Sequence, residues 1–357
     1  MWRVDFSSCL EDDGQAAERS ADANPFLSPP WFRLLAGTTI PEPAQAVWYR
    51  ARAGAGQSVT LPLVRHARPY PWAPRRITSL SNYYTPIYAP LAAATAVDGA
   101  VAAIARHIAS ERPAWDIVDL EPLDKQGSGF QVLRGGLEEA GFWVRPYFRF
   151  GNWYLKLAGR GYEEYRDGLP GRLKSTLSRK GRALERSARH EFQVATSLDD
   201  LPWALPAYEA VYRVSWKRPE PLASFMPGLI ELAAAEGWLR LGVLYIEGRP
   251  AAAQIWLVAG GVASIYKLAY DPAFKQFSPG TLLTAHLLRR AIDTDGVDEV
   301  DYLVGDDSYK QDWMSGRRER WGLFALNRAT WRGRALMLKE GLAVRLRHRR
   351  ADNFGED

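Results

Sequence analysis

The chain has 357 residues, of which 47% are hydrophobic and 24% are charged. This composition excludes a disordered or fibrous protein, and the length suffices for two domains that each bury a core. The formal net charge of +5 arises from 46 basic and 41 acidic residues. Where the basic residues cluster, we expect them to attract phosphate groups of cofactors, nucleic acids or membranes.

Several features limit the location and chemistry of the protein. Cys9 is the one cysteine, which excludes an intramolecular disulfide and a cysteine-based zinc site. The N-terminus lacks the apolar core of a signal peptide, and the apolar run over 91–105 is interrupted by Asp98 and Gly99. The five histidines show no paired-ligand spacing. We therefore predict a cytoplasmic protein without a metal or a transmembrane segment; the oligomeric state stays open.

Hydrophobic periodicity and turn residues divide the chain into segments. We predict a poorly ordered N-terminal segment over 1–23, an α/β domain over 24–150, a second α/β domain over 151–330 and a basic helix and tail over 331–357. Both halves end a helix with a glycine that precedes a strand, at Gly141 and Gly296. The halves therefore resemble diverged copies of one α/β unit.

Individual elements follow from the same patterns. In the first half we predict helices near 30–36, 97–110 and 130–140 and strands near 46–53, 58–64, 116–120 and 142–148, with a glycine turn at 54–56. In the second half we predict strands near 152–157, 192–196 and 321–328 and helices over 162–188 (one or two), 201–213, 222–235 and 332–348.

The most informative stretch is 239–313. Strand-like runs at 239–246, 251–259 and 262–270 are separated by short turns, which predicts a meander of hairpins. A helix is predicted after Ser278, and another strand over 299–303. The order β-β-β-α-β places a free helix N-terminus beside a strand end, which is suitable for holding a phosphate-bearing group.

The start of that helix is a candidate phosphate site. Ser278 is a predicted N-cap and Pro279 suits the first helical position. Gly280, Thr281 and Leu282 would then expose unpaired backbone N–H groups. An ordinary capped helix is the alternative.

The loop over 304–313 is a candidate catalytic segment because it follows a strand end in an α/β sheet. Asp306 could orient an amine or receive its proton through water, and Lys310 could bind a phosphate or stabilise an oxyanion. Tyr309, between them in the loop, is a further catalytic candidate. The alternative is that Asp306 and Asp307 end a turn and Lys310 is solvated.

Polar residues interrupt two of the apolar strands. Lys267 and Gln254 are each isolated in such a run. Lys267 is expected to meet an anion or a carboxylate and is a candidate cofactor-binding residue, and Gln254 is the analogous polar residue on the neighbouring strand. Either could instead be a satisfied buried polar group. Tyr270 and Trp216 are candidates for the wall of the acceptor site, although core packing is the favoured interpretation for Trp216.

A predicted helix over 172–189 is strongly basic. Arg172, Arg179 and Arg186 recur every seven residues and lie nearly on one face. They could contact the phosphates of a nucleotide-linked acceptor or of tRNA, or the face could simply be solvated.

The sequence resembles a known family on several motifs. YKLAYDPAFKQFSPGTLL (266–283), VDYLVGDDSYKQDW (300–313) and NPFLSPPW (24–31) are similar to GNAT-type acyltransferases associated with cellulose and exopolysaccharide biosynthesis, which are relatives of the FemABX peptidoglycan aminoacyltransferases. The pattern of Gly305, Tyr309, Lys310 and Trp313 also resembles that family, and the resemblance makes Trp313 a candidate substrate-binding residue. The segment Lys275–Gly280 departs from the usual GNAT loop, Gln/Arg-x-x-Gly-x-Gly/Ala.

The resemblance implies a fold and an activity. The fold would be α/β (α+β), with tandem GNAT-like domains, the first degenerate, each a mixed and mostly antiparallel sheet flanked by helices. The activity would be transfer of an acyl group from acyl-CoA, such as acetyl-CoA, to an amine on a sugar, an amino acid or an envelope precursor. Aminoacyl transfer from tRNA is the alternative enzyme, and a non-catalytic tandem-GNAT binding module is a third possibility.

Overall fold

The computed structural model describes residues 2–8, 24–54, 57–92 and 97–352, with side chains omitted at 97–98 and from 342 onward. The chain divides into two compact units. The first comprises Met1–Gln15, Leu35–Arg149 and Glu319–Asp357, and the second Ala16–Leu34 and Phe150–Arg318.

The strands, in chain order, are β1 (Arg3–Ser7), β2 (Gln45–Ala53), β3 (Gln57–Arg65), β4 (Arg76–Ser79), β5 (Leu91–Ala92), β6 (Ile117–Asp124), β7 (Phe142–Lys156), β8 (His190–Ala195), β9 (Leu239–Ile246), β10 (Arg249–Ala259), β11 (Val262–Tyr270), β12 (Glu299–Asp301) and β13 (Gly316–Asn327).

The α-helices are α1 (Pro29–Thr39), α2 (Val97–Ser110), α3 (Ser128–Glu139), α4 (Tyr162–Asp167), α5 (Gly171–Ser187), α6 (Leu201–Val214), α7 (Phe225–Ala235), α8 (Pro279–Arg289), α9 (Ser308–Gln311) and α10 (Trp331–Asp352). Short 3-10 turns cover Pro25–Leu27, Leu198–Asp200 and Pro272–Phe277, and α8 continues into a π-helical turn, Arg290–Thr294.

The two units share one strand pattern. In the first unit the pairs β1/β2, β2/β3, β3/β4 and β6/β13 are antiparallel, and β4/β6 is parallel. In the second unit β8/β9, β9/β10, β10/β11 and β12/β7 are antiparallel, and β11/β12 is parallel. A helix, α2 or α8, lies in the crossover of each parallel pair. The mixed, mostly antiparallel sheets flanked by helices confirm the predicted fold class.

The sixth strand of each unit comes from an unexpected part of the chain. The strand that follows β6 and α3 is β7, which pairs with β12 of the second unit. The strand that follows β12 and α9 is β13, which pairs with β6 of the first unit. The glycines that suggested the repeat are not equivalent, because Gly141 follows α3, whereas Gly296 precedes β12.

Several predicted boundaries need correction. Arg3–Ser7, placed in a poorly ordered segment, is an edge strand on β2, and residues 9–23 of the predicted segment lie outside the described residues. The C-terminal strand from Glu319 belongs to the first unit rather than to a second domain ending at 330. The separate strands predicted at 142–148 and 152–157 are one strand, β7. Part of the predicted 54–56 turn is likewise outside the described residues.

Residues 24–34, which include the NPFLSPPW motif, pack in the second unit and not in the first. Asn24 accepts a hydrogen bond from the Phe26 N–H and caps the turn that precedes α1. The Phe26 ring stacks on Tyr266 at a centroid distance of 5.8 Å, and Trp31 meets Phe225 edge-on at the same distance. Residues 24–34 therefore stabilise β11 and α7, because these aromatic rings are buried together.

None of the described helices carries an apolar run long enough to cross a bilayer.

Candidate functional site

An opening between two strands defines the candidate site of the second unit. The parallel pairing of β11 and β12 covers only Val262–Ser264 against Glu299–Asp301. Beyond it, β11 stays paired with β10, with a bulge at Tyr266, while the N–H of Tyr302 donates to Trp153 on the β7 side. The two strands therefore diverge, and α8 begins at Pro279, shortly after β11 ends.

Buried polar contacts fix the first turn of α8. Gln254 is fully buried in β10, and its Nε2 donates to the carbonyl of Gly280 at 2.9 Å and to Thr284 Oγ1 at 2.8 Å. Its Oε1 accepts from Trp256 Nε1 at 2.9 Å. Of the two interpretations of Gln254, the satisfied buried group is therefore confirmed. Its role is to hold the helix N-terminus against the strand.

Ser278 does not cap α8 in the predicted manner. It occupies the N-cap position, but its backbone is left-handed at φ 52° and its side chain makes no capping hydrogen bond. The preceding 3-10 turn sets this conformation, because the Ser278 N–H donates to the carbonyl of Lys275. In a helix of this length the first N–H groups lack intrahelical acceptors, so the expectation for Gly280 and Thr281 stays a prediction. The predicted unpaired N–H of Leu282 is wrong, because it donates to the carbonyl of Ser278 at 3.2 Å, and the Leu282 side chain lies in the core.

Two predicted wall residues meet beside this helix start. The rings of Trp216 and Tyr270 lie 4.6 Å apart, and a Cβ on Gly280 would lie 3.5 Å from Tyr270 Cδ1. Trp216 is 55% exposed, so core packing, the favoured interpretation for it, is wrong. An exposed indole next to a helix N-terminus offers an apolar wall to a bound ligand.

Lys267 meets a carboxylate rather than a free anion site. Its Nζ lies 2.9 Å from Glu220 Oε1, and Tyr212 donates to the same oxygen at 2.6 Å. Lys217 lies close enough to be affected: burial lowers the pKa of its ammonium, and the charges of Lys267 and then of Lys310 act in the same direction. Lys267 is therefore ion-paired, and Lys217 lies within electrostatic reach of both Lys267 and Lys310.

Lys310 is buried and supports the loop over 304–307. Its Nζ donates to the carbonyls of Val304 at 2.6 Å and Gly305 at 3.2 Å, and lies 3.4 Å from Asp307 Oδ2. Burial lowers the pKa of Lys310, and Asp307 opposes that shift. The alternative interpretation of Lys310, a solvated lysine, is therefore wrong. Because three oxygens occupy the three N–H groups, the ammonium first of all shapes this loop.

Asp306 and Tyr309 differ in their readiness to exchange protons. Arg317 binds both carboxylate oxygens of Asp306, at 3.0 Å and 2.6 Å, and this hydrogen bonding lowers the pKa of Asp306. Such a carboxylate is a weak base. Tyr309 is 45% exposed and packs edge-on against Tyr302, and burial raises its pKa to about 12. Its phenol is therefore protonated at neutral pH and can donate a proton or hydrogen bond.

A buried hydrogen-bond network, which the sequence did not predict, supports the start of the 304–307 loop. Asn152 Nδ2 donates to Asp301 Oδ1 at 2.5 Å and to the carbonyl of Leu303 at 2.8 Å. Arg318 donates to Asn152 Oδ1 at 2.7 Å and to Glu299 at 2.7 Å. Leu303 adopts φ 55°, a conformation that costs free energy for a branched residue and is maintained by such contacts. The acidic residues in β12 were the available sequence signal.

Trp313 does not line the opening. Its side chain is 6% exposed within the core, and its carbonyl accepts a hydrogen bond from the Tyr165 hydroxyl at 2.9 Å. The predicted substrate-binding role is therefore replaced by packing.

The basic helix α5 lies next to α8. Lys180 Nζ donates to the carbonyl of Gln276, in the turn that leads into α8. Arg172, Arg179 and Arg186 are exposed, and none forms an ion pair with the residues that the structure describes. A groove of about 560 Å³ runs along the helix, lined by Lys174, Ser175, Ser178, Arg179, Arg182, Ala183 and Arg186.

The equivalent position in the first unit is closed. After the parallel pairing of Arg76–Thr78 with Ile117–Asp119, Ser79 Oγ donates to the carbonyl of Glu121 at 2.7 Å and accepts from its N–H at 3.0 Å. The Tyr88 N–H then donates to Pro122. These bonds join β4 and its following loop to β6, so the described residues of this unit form no matching opening.

No group of three or more His, Cys, Asp or Glu side chains among the described residues is arranged to bind a metal ion.

Similarity to known proteins agrees with this geometry. Residues 171–311, from α5 to α9, match the family model for the acetyltransferase (GNAT) domain. FemX has a TM-score of 0.59 at 12% identity, over 90% of this chain and 96% of that one. The C-terminal domain of a putative lysylphosphatidylglycerol synthetase from Agrobacterium fabrum has a TM-score of 0.57 at 13% identity, over 91% and 95%. L-PGS from Bacillus licheniformis scores 0.51 at 12% identity, over 79% and 85%.

Residues 171–311 of the second unit therefore match a GNAT domain. The chain as a whole resembles FemX in fold, and the first unit repeats the strand pattern of the second. No curated protein sequence matches the chain.

Proposed function

We propose that the protein is an N-acyltransferase that moves an acyl group from acyl-CoA, or a related phosphopantetheine thioester, to an amine. The observation that carries this proposal is the divergence of β11 from β12 beside the start of α8. A thioester arm between the strands would extend its phosphates toward the N–H groups of Gly280 and Thr281, where the helix dipole favours negative charge.

The residues around the opening suit the steps of acyl transfer. The neutral amine attacks the acyl carbonyl, the ammonium of the tetrahedral intermediate loses a proton to solvent, and the oxyanion collapses as the thiolate leaves and takes up a proton. Tyr309 is the candidate proton donor to the thiolate, because its phenol stays protonated at neutral pH. Lys310 positions the loop that carries Tyr309, and the positive charge of its ammonium favours developing negative charge nearby. The acceptor is an amine on a sugar, an amino acid or an envelope precursor.

One observation favours a second candidate, aminoacyl transfer from tRNA as in the FemABX family. The arginines of α5 have no acidic partners in the described parts of the chain and lie close to α8 through the Lys180 contact. Unpaired arginines along a groove are suited to a phosphodiester backbone. The departure of Lys275–Gly280 from the usual GNAT phosphate loop also favours this candidate.

Ligand-induced stabilisation separates these candidates. We expect acetyl-CoA or a longer acyl-CoA to raise the free energy of unfolding by about 2.7 kcal/mol at a concentration of one hundred times Kd. Charged and uncharged tRNA are tested in parallel. Stabilisation by charged tRNA alone would support the second candidate, and no stabilisation by any donor would favour a non-catalytic binding module.

A further inference from the structure

A second cationic recess lies in the first unit, independent of the opening described above. It encloses about 680 Å³ between the loop after β3, the segment before β6 and the start of α10. Four arginines, Arg68, Arg75, Arg332 and Arg334, contribute to its lining. A volume of this size is typical of sites for small ligands.

The arginines of this recess form no ion pairs with acidic side chains among the residues that the structure describes. Asp116 also lines the recess, but it is buried and accepts a hydrogen bond from the Arg75 backbone N–H at 2.8 Å. Burial and the charge of Arg68 lower the pKa of Arg75, and the charges of Glu111 and Asp116 only partly oppose that shift.

Aromatic rings accompany these charges. Trp331 lines the recess and is 64% exposed, with the Arg332 guanidinium 4.6 Å from its ring centroid. Arg332 also donates to the carbonyl of Trp72, whose indole is 69% exposed and contacts Tyr70 at 4.9 Å. Exposed indoles are unusual for a folded surface and mark binding sites when they cluster.

We propose that this recess binds a nucleotide unit, with its base stacked on Trp331 and its phosphates held by the arginines. Guanidinium groups bind phosphate oxygens in pairs, and aromatic faces stack bases of any sequence at about 1–3 kcal/mol each. The nucleotide is either free or part of a single RNA strand. An anionic lipid surface fits less well, because the cations line a recess.

The test uses the full chain with ADP, a short labelled oligouridylate and vesicles rich in phosphatidylglycerol. The double substitution Arg68→Gln and Arg334→Gln removes two charges at exposed side chains. Arg106→Gln with Arg134→Gln is the matched control, because both arginines are exposed on helices of the same unit outside the recess. Trp331→Ala removes the stacking ring.

We expect the recess variant to bind the nucleotide probe about tenfold more weakly than the control. For oligouridylate we expect the salt slope to fall by about 1.4, at about 0.7 for each phosphate that the variant no longer neutralises. Trp331→Ala should weaken ADP binding and leave pyrophosphate binding unchanged. Binding of ADP identifies a free nucleotide, and binding of oligouridylate alone identifies an RNA strand.

Equal binding by the recess variant and the control, or no binding of either nucleotide probe, would overturn the proposal. So would vesicle binding that depends on the arginine pair while nucleotide binding does not. Because every substitution lies in the first unit, failure here leaves the acyltransferase proposal for the second unit untouched.

Discussion

The buried ammonium of Lys310 holds the 304–307 loop, and we propose that it also acts in acyl transfer. The Lys310 residue is 4% exposed, and its ammonium contacts two backbone carbonyls and Asp307. An unpaired buried carbonyl costs about 1–3 kcal/mol, so removal of the ammonium would loosen the 304–307 loop. A loose loop and a missing charge both reduce turnover, and kinetics distinguish these effects from weaker binding.

We predict that Lys310→Met lowers kcat about 10²–10³-fold, with only a modest loss of donor affinity. Steady-state kinetics with varied donor separate a kcat effect from a KM effect. Lys156→Met, at an exposed position on β7, is the matched control and should behave as wild type. Near-normal kcat in Lys310→Met would remove this residue from the mechanism, and a pure KM effect would assign it to ground-state binding.

Among the elements, the arginine face of α5 has two interpretations: it is solvated, or it binds phosphates. Its arginines project from one face, and Lys180 fixes the helix near α8. We predict that replacing Arg172, Arg179 and Arg186 with Gln weakens binding of a phosphorylated donor and reduces the dependence of its affinity on salt.

Titrations with acyl-CoA and with charged tRNA at several salt concentrations measure this effect. The control replaces Arg106, Arg112 and Arg134, exposed arginines of the first unit, with Gln. If the affinity and salt slope match the control for every donor, the helix face is merely solvated.

Sequence patterns predict local elements, but they do not predict pairings between distant parts of the chain. The strands at 239–246 and 262–270 were placed at their observed limits, because alternation and glycine turns are local signals. The short strand Arg76–Ser79 was missed, since its pairing with β6 depends on residues far along the chain. The polarity of Lys267 was recognised, but its partner Glu220 was not, because a loop brings the two together.

Site prediction failed in a similar way. Tyr270 and Trp216, the candidates for one wall, meet beside Gly280 of the candidate phosphate site. Ser278, however, lacks the predicted capping bond, and Trp313 lies in the core. The position of a Trp in the sequence cannot distinguish an exposed ring from a packed one, because a Trp side chain provides a large contact area both in a core and at a binding site. The backbone conformation of Ser278 depends on a 3-10 turn that periodicity does not reveal.

At the scale of the whole molecule, buried tyrosines link stability to pH. Burial raises the pKa of several phenols above the ordinary value of about 10; these are Tyr49, Tyr88, Tyr147, Tyr165 and Tyr302. The unfolded chain releases these protons near pH 10 while the folded chain retains them. Their stabilisation is therefore complete below pH 10 and is lost as pH rises toward the folded values.

We predict that the free energy of unfolding in urea falls steeply above about pH 10, by about 1.4 kcal/mol per pH unit for each such tyrosine. Tyr88→Phe should show a shallower decline, because one phenol is removed. An unchanged slope in that variant would mean that Tyr88 does not contribute to the linkage.

The repeat gives the molecule two related units with different roles. The second unit keeps its strands apart at the end of β12, whereas Ser79 and Tyr88 close the same position in the first. We therefore expect one acyl-donor site for each chain, located in the second unit.

Titration of acetyl-CoA into Gly280→Glu tests that claim most directly. A Cβ at Gly280 meets only Tyr270, at an ordinary 3.5 Å, so the variant should fold while its carboxylate repels the donor phosphates. Gly135→Glu, on α3 with open space around it, is the control. We predict one acetyl-CoA bound for each chain in wild type and control, and no detectable binding in Gly280→Glu. Equal affinity in a folded Gly280→Glu protein, or no binding by wild type, would contradict an acyl-CoA site at α8.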